Sequence, residues 1–169
     1  MVSLIVLLGG NMSSRLFIKL RENEGLIYSV HAEYEDYSDI GSISIECGTF
    51  GDKKSIFKCI RIILHELQLL KKDKVSAKEL KHNKNYYNGN FLLDLEDSTN
   101  LAVMHSENIL LRNKVETYDE IKKKINKVTS DEIQKVANKI FQKDKCNIAI
   151  ISKEMINRSE INKLVDEYL

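Results

Sequence analysis

Gly9-Gly10 and Gly25 constrain this chain more than any other feature. A glycine pair breaks regular structure on one side, and a lone glycine suits a left-handed helix stop on the other. Between them, Asn11 to Glu24 has room for one short helix. Before them, Val2 to Leu8 is apolar throughout, so as a helix it must be buried all round. After them, Leu26 to Tyr34 alternates with period two, as a half-buried strand does. The stretch from Leu8 to Val30 therefore reads as break, short amphipathic helix, stop and strand. Ser13 is placed to cap the helix, with Met12 and Phe17 spaced as a hydrophobic staple. Leu16, Phe17 and Leu20 form its inward stripe, while Arg15, Lys19 and Arg21 face elsewhere.

The rest of the chain reads as support for this stretch. Strand parity puts Leu26, Tyr28, Val30, Ala32 and Tyr34 on one face. Ser42 to Cys47 alternates again with Ile43, Ile45 and Cys47 inward, which predicts an antiparallel hairpin over about 26–35 and 40–49. Asp52 to Lys72 carries Ile56, Ile60, Ile63, Leu64, Leu67 and Leu70 at helical spacing. Ser76, Thr117 and Thr129 each stand three residues before a glutamate, as capping boxes that open further helices, and Asp97 or Ser98 can start another. Cys146 to Ser152 is an apolar run of strand length, and Glu160 to Leu169 is a terminal helix. The expected class is α+β: the hairpin plus a late strand at about 146–152, packed against several helices. No linker or repeat divides the chain, so residues 1–169 read as one domain.

Charge and composition narrow the function. Lysine plus arginine number 26 against 25 acids, a net charge of +1. A dedicated nucleic-acid binder usually carries a basic excess, so none is expected. No apolar run approaches the roughly 20 residues that span a bilayer. Val2 to Leu8 is short and lacks the basic flank of a signal peptide. The default reading is an intracellular protein, cytoplasmic first, with an organelle as the alternative. Cys47, Cys59 and Cys146 have no C-x-x-C spacing and read as reduced, small apolar residues. The histidines at 31, 65, 82 and 105 form neither H-E-x-x-H nor H-x-x-E-H, so this chain is expected to bind no metal or other cofactor of its own. Gly9-Gly10 before Ser13-Ser14-Arg15 could cradle an anion, but the P-loop lysine is missing and a plain helix connection explains the residues as well.

Arg21 and Tyr28 are the candidate site. Arg21 falls in the last turn of the short helix, and Tyr28 early in the following strand. The Gly25 turn folds one back toward the other. Together they offer the five donors of a guanidinium and one directional O–H, a set suited to gripping peptide carbonyls and donating to an oxyanion. The competing reading is that Tyr28, sharing parity with Val30 and Ala32, is simply core.

The same residues resemble a known pattern. Leu-Gly-Gly at 8–10, Ser-Ser-Arg-Leu at 13–16, Arg21-Glu22 and Gly-Leu-Ile-Tyr-Ser at 25–29 resemble the C-terminal domain of the pitrilysin/insulinase family of zinc metallopeptidases, in its processing-peptidase-like branch. Asp39 to Thr49 resembles that domain's next strand, and Asn90 to Ala102 the bend between its long helices. The resemblance implies one of two homologous α+β halves that close around a peptide. The other half binds zinc through H-x-x-E-H; this one supplies an Arg/Tyr pair, matched by Arg21 and Tyr28. It implies a zinc-binding partner half, as a separate chain or an upstream domain, a peptide substrate, and no activity for this chain alone. In the family, strands precede the helix that ends at Leu-Gly-Gly, so the chain reads as a half lacking its first strands. The family also includes non-catalytic core subunits of a respiratory cytochrome complex. A structural or interaction subunit is therefore the alternative, with an inactive fragment as a third.

Overall fold

The computed structural model describes residues 1–169 and is an α+β fold. The apolar N-terminal run forms helix α1, Val2–Leu8, with Ser3, Leu4, Ile5, Leu7 and Leu8 buried. The Gly9-Gly10 break lets α1 pack directly against the first strand, β1, Ile27–Asp36. A side chain at Gly9 would bring its Cβ within 2.9 Å of the Ala32 Cβ, so only glycine allows this approach. β1 pairs antiparallel with β2, Gly41–Thr49, as the alternation predicts.

Helix α2, Lys53–Lys72, opens on Asp52, whose carboxylate accepts from the Ser55 N–H at 2.9 Å. Its apolar stripe enters the core through Ile56, Cys59, Leu64, Leu67 and Leu70. Helices α3, Ala77–Asp94, and α4, Ser98–Arg112, follow. α3 packs on α1, whereas α4 buries no residue and is tied to the hairpin by an Arg112–Asp36 ion pair of 2.6 Å. Helices α5, Tyr118–Lys127, and α6, Ser130–Ile140, begin with the two predicted capping boxes, at Thr117/Glu120 and Thr129/Glu132. Helix α7, Arg158–Tyr168, lies with α6 against α2. One continuous core results, with Leu4, Leu8, Leu16, Leu20 and Leu70 fully enclosed.

The expected late strand is not formed. The sheet has two strands, and residues 147–156 make no backbone–backbone hydrogen bond. Periodicity and composition detect an apolar extended segment, but a strand also needs a neighbouring edge, and none lies beside this one. Ile151 is fully exposed, and the segment walls an open groove of about 820 Å³ with Ile161 and Val165 of α7. No helix is long and apolar enough to cross a membrane.

Candidate functional site

The short helix is where the sequence expectation needs most revision. Residues Phe17–Asn23 are wound as a π-helix, with hydrogen bonds reaching one residue further than in an α-helix. Ser13 does not cap it. No other side chain does either; the Asn11 Oδ1 accepts from the Ser13 N–H at 2.7 Å and closes the turn that leads into it. Met12 is 75% exposed, so the expected staple to Phe17 is absent. Leu16 and Leu20 are fully buried, as their stripe predicts.

Gly25 ends the helix with φ of +59°, the left-handed conformation in which glycine has no Cβ penalty. The Leu26 N–H donates back to the Leu20 carbonyl at 2.9 Å, and the Thr49 hydroxyl donates to the Leu26 carbonyl at 2.8 Å. Lys58 of α2 pairs with Glu24 on the outside of the turn. Four elements thus fix the point where helix hands over to strand.

Immediately after this turn the ladder slips. Ile27 faces Thr49 and Val30 faces Cys47, so β1 spends three residue steps where β2 spends two. This is a β-bulge at Tyr28-Ser29, and a bulge re-aims the side chains around it. Ile27, Val30 and Ala32 are buried, while Tyr28 is 82% exposed. The parity that placed Tyr28 with the core is therefore broken at that residue.

Arg21 meets Tyr28 there. Its Nη1 donates to the Tyr28 carbonyl at 2.9 Å. Its guanidinium carbon lies 5.1 Å from the Phe17 ring centroid and 5.1 Å from that of Tyr28. Two aromatic faces and one carbonyl hold the cation in place. No protein group accepts from its other N–H groups or pairs with the Tyr28 hydroxyl. The arrangement is a positioned, solvent-facing donor set that can bind carbonyl oxygens or a negative charge. Sequence reasoning assigned Phe17 to the inward stripe; it is half-buried and packs against Arg21 as well as the core.

A second arginine on the same stretch turns inward, against the expectation that it faces elsewhere. Arg15 donates from Nε and Nη2 to the two Glu79 oxygens at 2.7 and 2.9 Å and lies 3.8 Å from Glu66. The Glu79 hydrogen bond holds the Arg15 guanidinium above its usual pKa range. Glu66 is only 3% exposed. The Tyr86 hydroxyl donates to the Gly10 carbonyl at 3.2 Å, and the Asn83 side chain donates to the Ser3 carbonyl at 2.9 Å. Helices α2 and α3 thereby lock the stretch that carries Arg21. The signal was present in the sequence: Glu66 interrupts the stripe of Ile63, Leu67 and Leu70, and an acid there calls for a buried cation.

The four histidines stay apart, and no three His, Cys, Asp or Glu side chains converge closely enough to hold a metal ion. The residues of this chain do not fit a zinc site.

Comparison with known proteins places the chain in a family. The family model of the peptidase M16 inactive domain matches residues 1–87, just over half the chain. The chain is 36% identical over 145 residues to YmxG of Bacillus subtilis, an uncharacterized zinc protease, covering 86% of this chain and 35% of the relative. Among solved structures, a conserved protein from Enterococcus faecalis superposes with a TM-score of 0.69 at 27% identity, covering 80% of this chain and 31% of that one. A peptidase M16 inactive domain from Pseudomonas fluorescens shares the fold, with a TM-score of 0.64 at 22% identity over 82% of this chain and 33% of that one. The chain spans about a third of the length of these relatives. The α+β fold, the matched first half and the 36% identity agree: this chain belongs to the peptidase M16 inactive domain family, the non-zinc domain of pitrilysin-like zinc peptidases.

Proposed function

We propose that this chain is the substrate-binding half of a pitrilysin-like metalloendopeptidase. It assists peptide-bond hydrolysis when joined to a homologous half that carries zinc and the nucleophile. Arg21 binds substrate carbonyl oxygens, and Tyr28 donates its hydroxyl to the oxyanion of the tetrahedral intermediate. One observation carries this reading: a guanidinium fixed between two rings, with uncommitted N–H groups, beside an exposed tyrosine hydroxyl. Donors fixed in advance cost no reorganisation when charge develops, which is the physical basis of oxyanion stabilisation. The unpaired 147–151 run and the open sheet edge fit the same reading. In it, the open edge accepts a strand from the complementary half, because extended backbone with free N–H and C=O groups is a template for strand addition.

The test is reconstitution. The chain is mixed with a zinc-binding half bearing H-x-x-E-H, and cleavage of an extended peptide is followed. Tyr28→Phe should lower kcat by about 10²–10³, the usual effect of losing one oxyanion donor. Arg21→Ala should mainly raise KM. Undiminished cleavage by Tyr28→Phe removes that residue from the chemistry. A tight complex that cleaves nothing, with wild-type chain and intact zinc half, assigns the chain to the structural-subunit alternative.

A further inference from the structure

We infer that Cys47 and Cys59 are an oxidisable dithiol that closes into a disulfide, stapling strand β2 to helix α2. The elements bring them together. Cys47 sits on the inward side of β2 opposite Val30, three residues before Phe50. Cys59 lies seven residues after the Asp52 cap of α2. Three strand residues span about 10 Å, and seven helical residues span about 10 Å. With only Gly51 between Phe50 and the cap, the two thiols come to the same height on adjoining elements. Both pack into the one hydrophobic core, Cys59 at 2% exposure and Cys47 half-buried.

Their chemistry is asymmetric. Each thiol acts on the other: the Cys59 sulfur beside it pushes Cys47 up, and Cys47 holds Cys59 down at about 7. Cys146 is a contrast within the same chain: burial alone pushes it up. A thiolate is the attacking species in thiol–disulfide exchange, and access decides which sulfur is met first. The oxidant is a small-molecule disulfide such as oxidised glutathione. Cys47 Sγ attacks one of its sulfurs while its proton passes by way of the Cys59 thiolate to the leaving sulfur, forming a mixed disulfide and releasing one reduced thiol. The Cys59 thiolate then attacks Cys47 Sγ, forming the Cys47–Cys59 bond and releasing the second thiol. Two protein thiols are oxidised, one disulfide is reduced, and the two protons pass to the leaving thiolates.

The closed form bears on the site. Thr49, two residues from Cys47, pairs with Ile27 and donates to the Leu26 carbonyl just before Tyr28. A staple there braces the strand end that carries Tyr28.

The experiment is oxidation of the folded chain with oxidised glutathione, alkylation of the remaining thiols and peptide mass mapping. Wild type should lose two of its three alkylatable thiols, keep Cys146 free and carry no glutathione. Cys146→Ser should close equally. Cys59→Ser, or Cys59→Ala if the serine variant is unstable, should stop as a glutathione adduct at Cys47. Wild type that ends as a persistent Cys47 adduct, or that keeps all three thiols free at equilibrium, overturns the inference.

Discussion

Arg15 and Arg21 share one short stretch of chain and one side-chain chemistry, yet the fold uses them in opposite ways. Arg15 is spent on its own protein: Glu79 takes two of its N–H groups, and Glu66, almost wholly buried, lies 3.8 Å away. Arg21 gives one N–H to a backbone carbonyl and rests between the Phe17 and Tyr28 rings, leaving its remaining donors to solvent. A cation whose donors are matched by its own fold is scaffold. A cation held in place with donors left over is available to a ligand. The difference lies in neighbours: α2 and α3 deliver carboxylates to Arg15, while the turn and bulge deliver aromatic faces to Arg21.

The sharpest way to break this comparison is to remove Arg15. Arg15→Ala leaves the Glu66 carboxylate buried without its cation, and breaking a buried pair from one side typically costs about 3 kcal/mol or more. Urea denaturation should show the midpoint falling with little change in slope. Adding Glu66→Leu should recover much of the loss, since replacing a buried pair by apolar groups is often neutral. A loss under about 0.5 kcal/mol, the level of an ordinary surface change, would make Arg15 as dispensable as an exposed side chain and dissolve the contrast.

A smaller effect is expected at the turn between helix and strand. Gly25 has φ of +59° and nothing within 4 Å of where a Cβ would sit. Gly25→Ala therefore tests backbone strain free of crowding, at about 1–2 kcal/mol. Gly25→Asn should cost less, because asparagine tolerates the left-handed region. In the reconstituted peptidase, Gly25→Ala should also lower kcat, because the turn sets where Arg21 stands relative to Tyr28. Equal stability of the alanine and glycine forms would show that the turn relaxes without cost and does not fix the pair.

How much of this was legible depended on the range of the interactions. The Thr117 and Thr129 caps, the hairpin and the Gly25 stop are local, and spacing alone predicts them. Arg21 and Tyr28 were legible as a pair because one tight turn joins them. The exposure of Tyr28 was not, since period-two reading assumes an unbroken register and the bulge breaks it at that residue. Arg15 was misread because Glu66 and Glu79 lie far along the chain, and a helix pattern carries no information about distant partners. The late strand failed for a related reason: the 146–152 run has strand composition, but pairing depends on an edge that a sequence window cannot see.

The smallest expected effect sharpens the comparison most, because it asks whether the open pair contributes to the fold at all. Tyr28 is 82% exposed, so Tyr28→Ala removes little buried area and should change stability by less than about 0.5 kcal/mol. Arg21→Ala gives up two ring contacts and one exposed hydrogen bond, and exposed cation–π contacts are worth about 0.5–1 kcal/mol. Its loss should stay near 1 kcal/mol, well below that of Arg15→Ala. A double-mutant cycle on Arg21 and Tyr28 should give a coupling of less than about 1 kcal/mol. Stability and activity then separate: both substitutions spare the fold while impairing cleavage. A loss at Arg21 equal to that at Arg15 would mean that the pair is held for packing, and its free donors would no longer argue for a ligand.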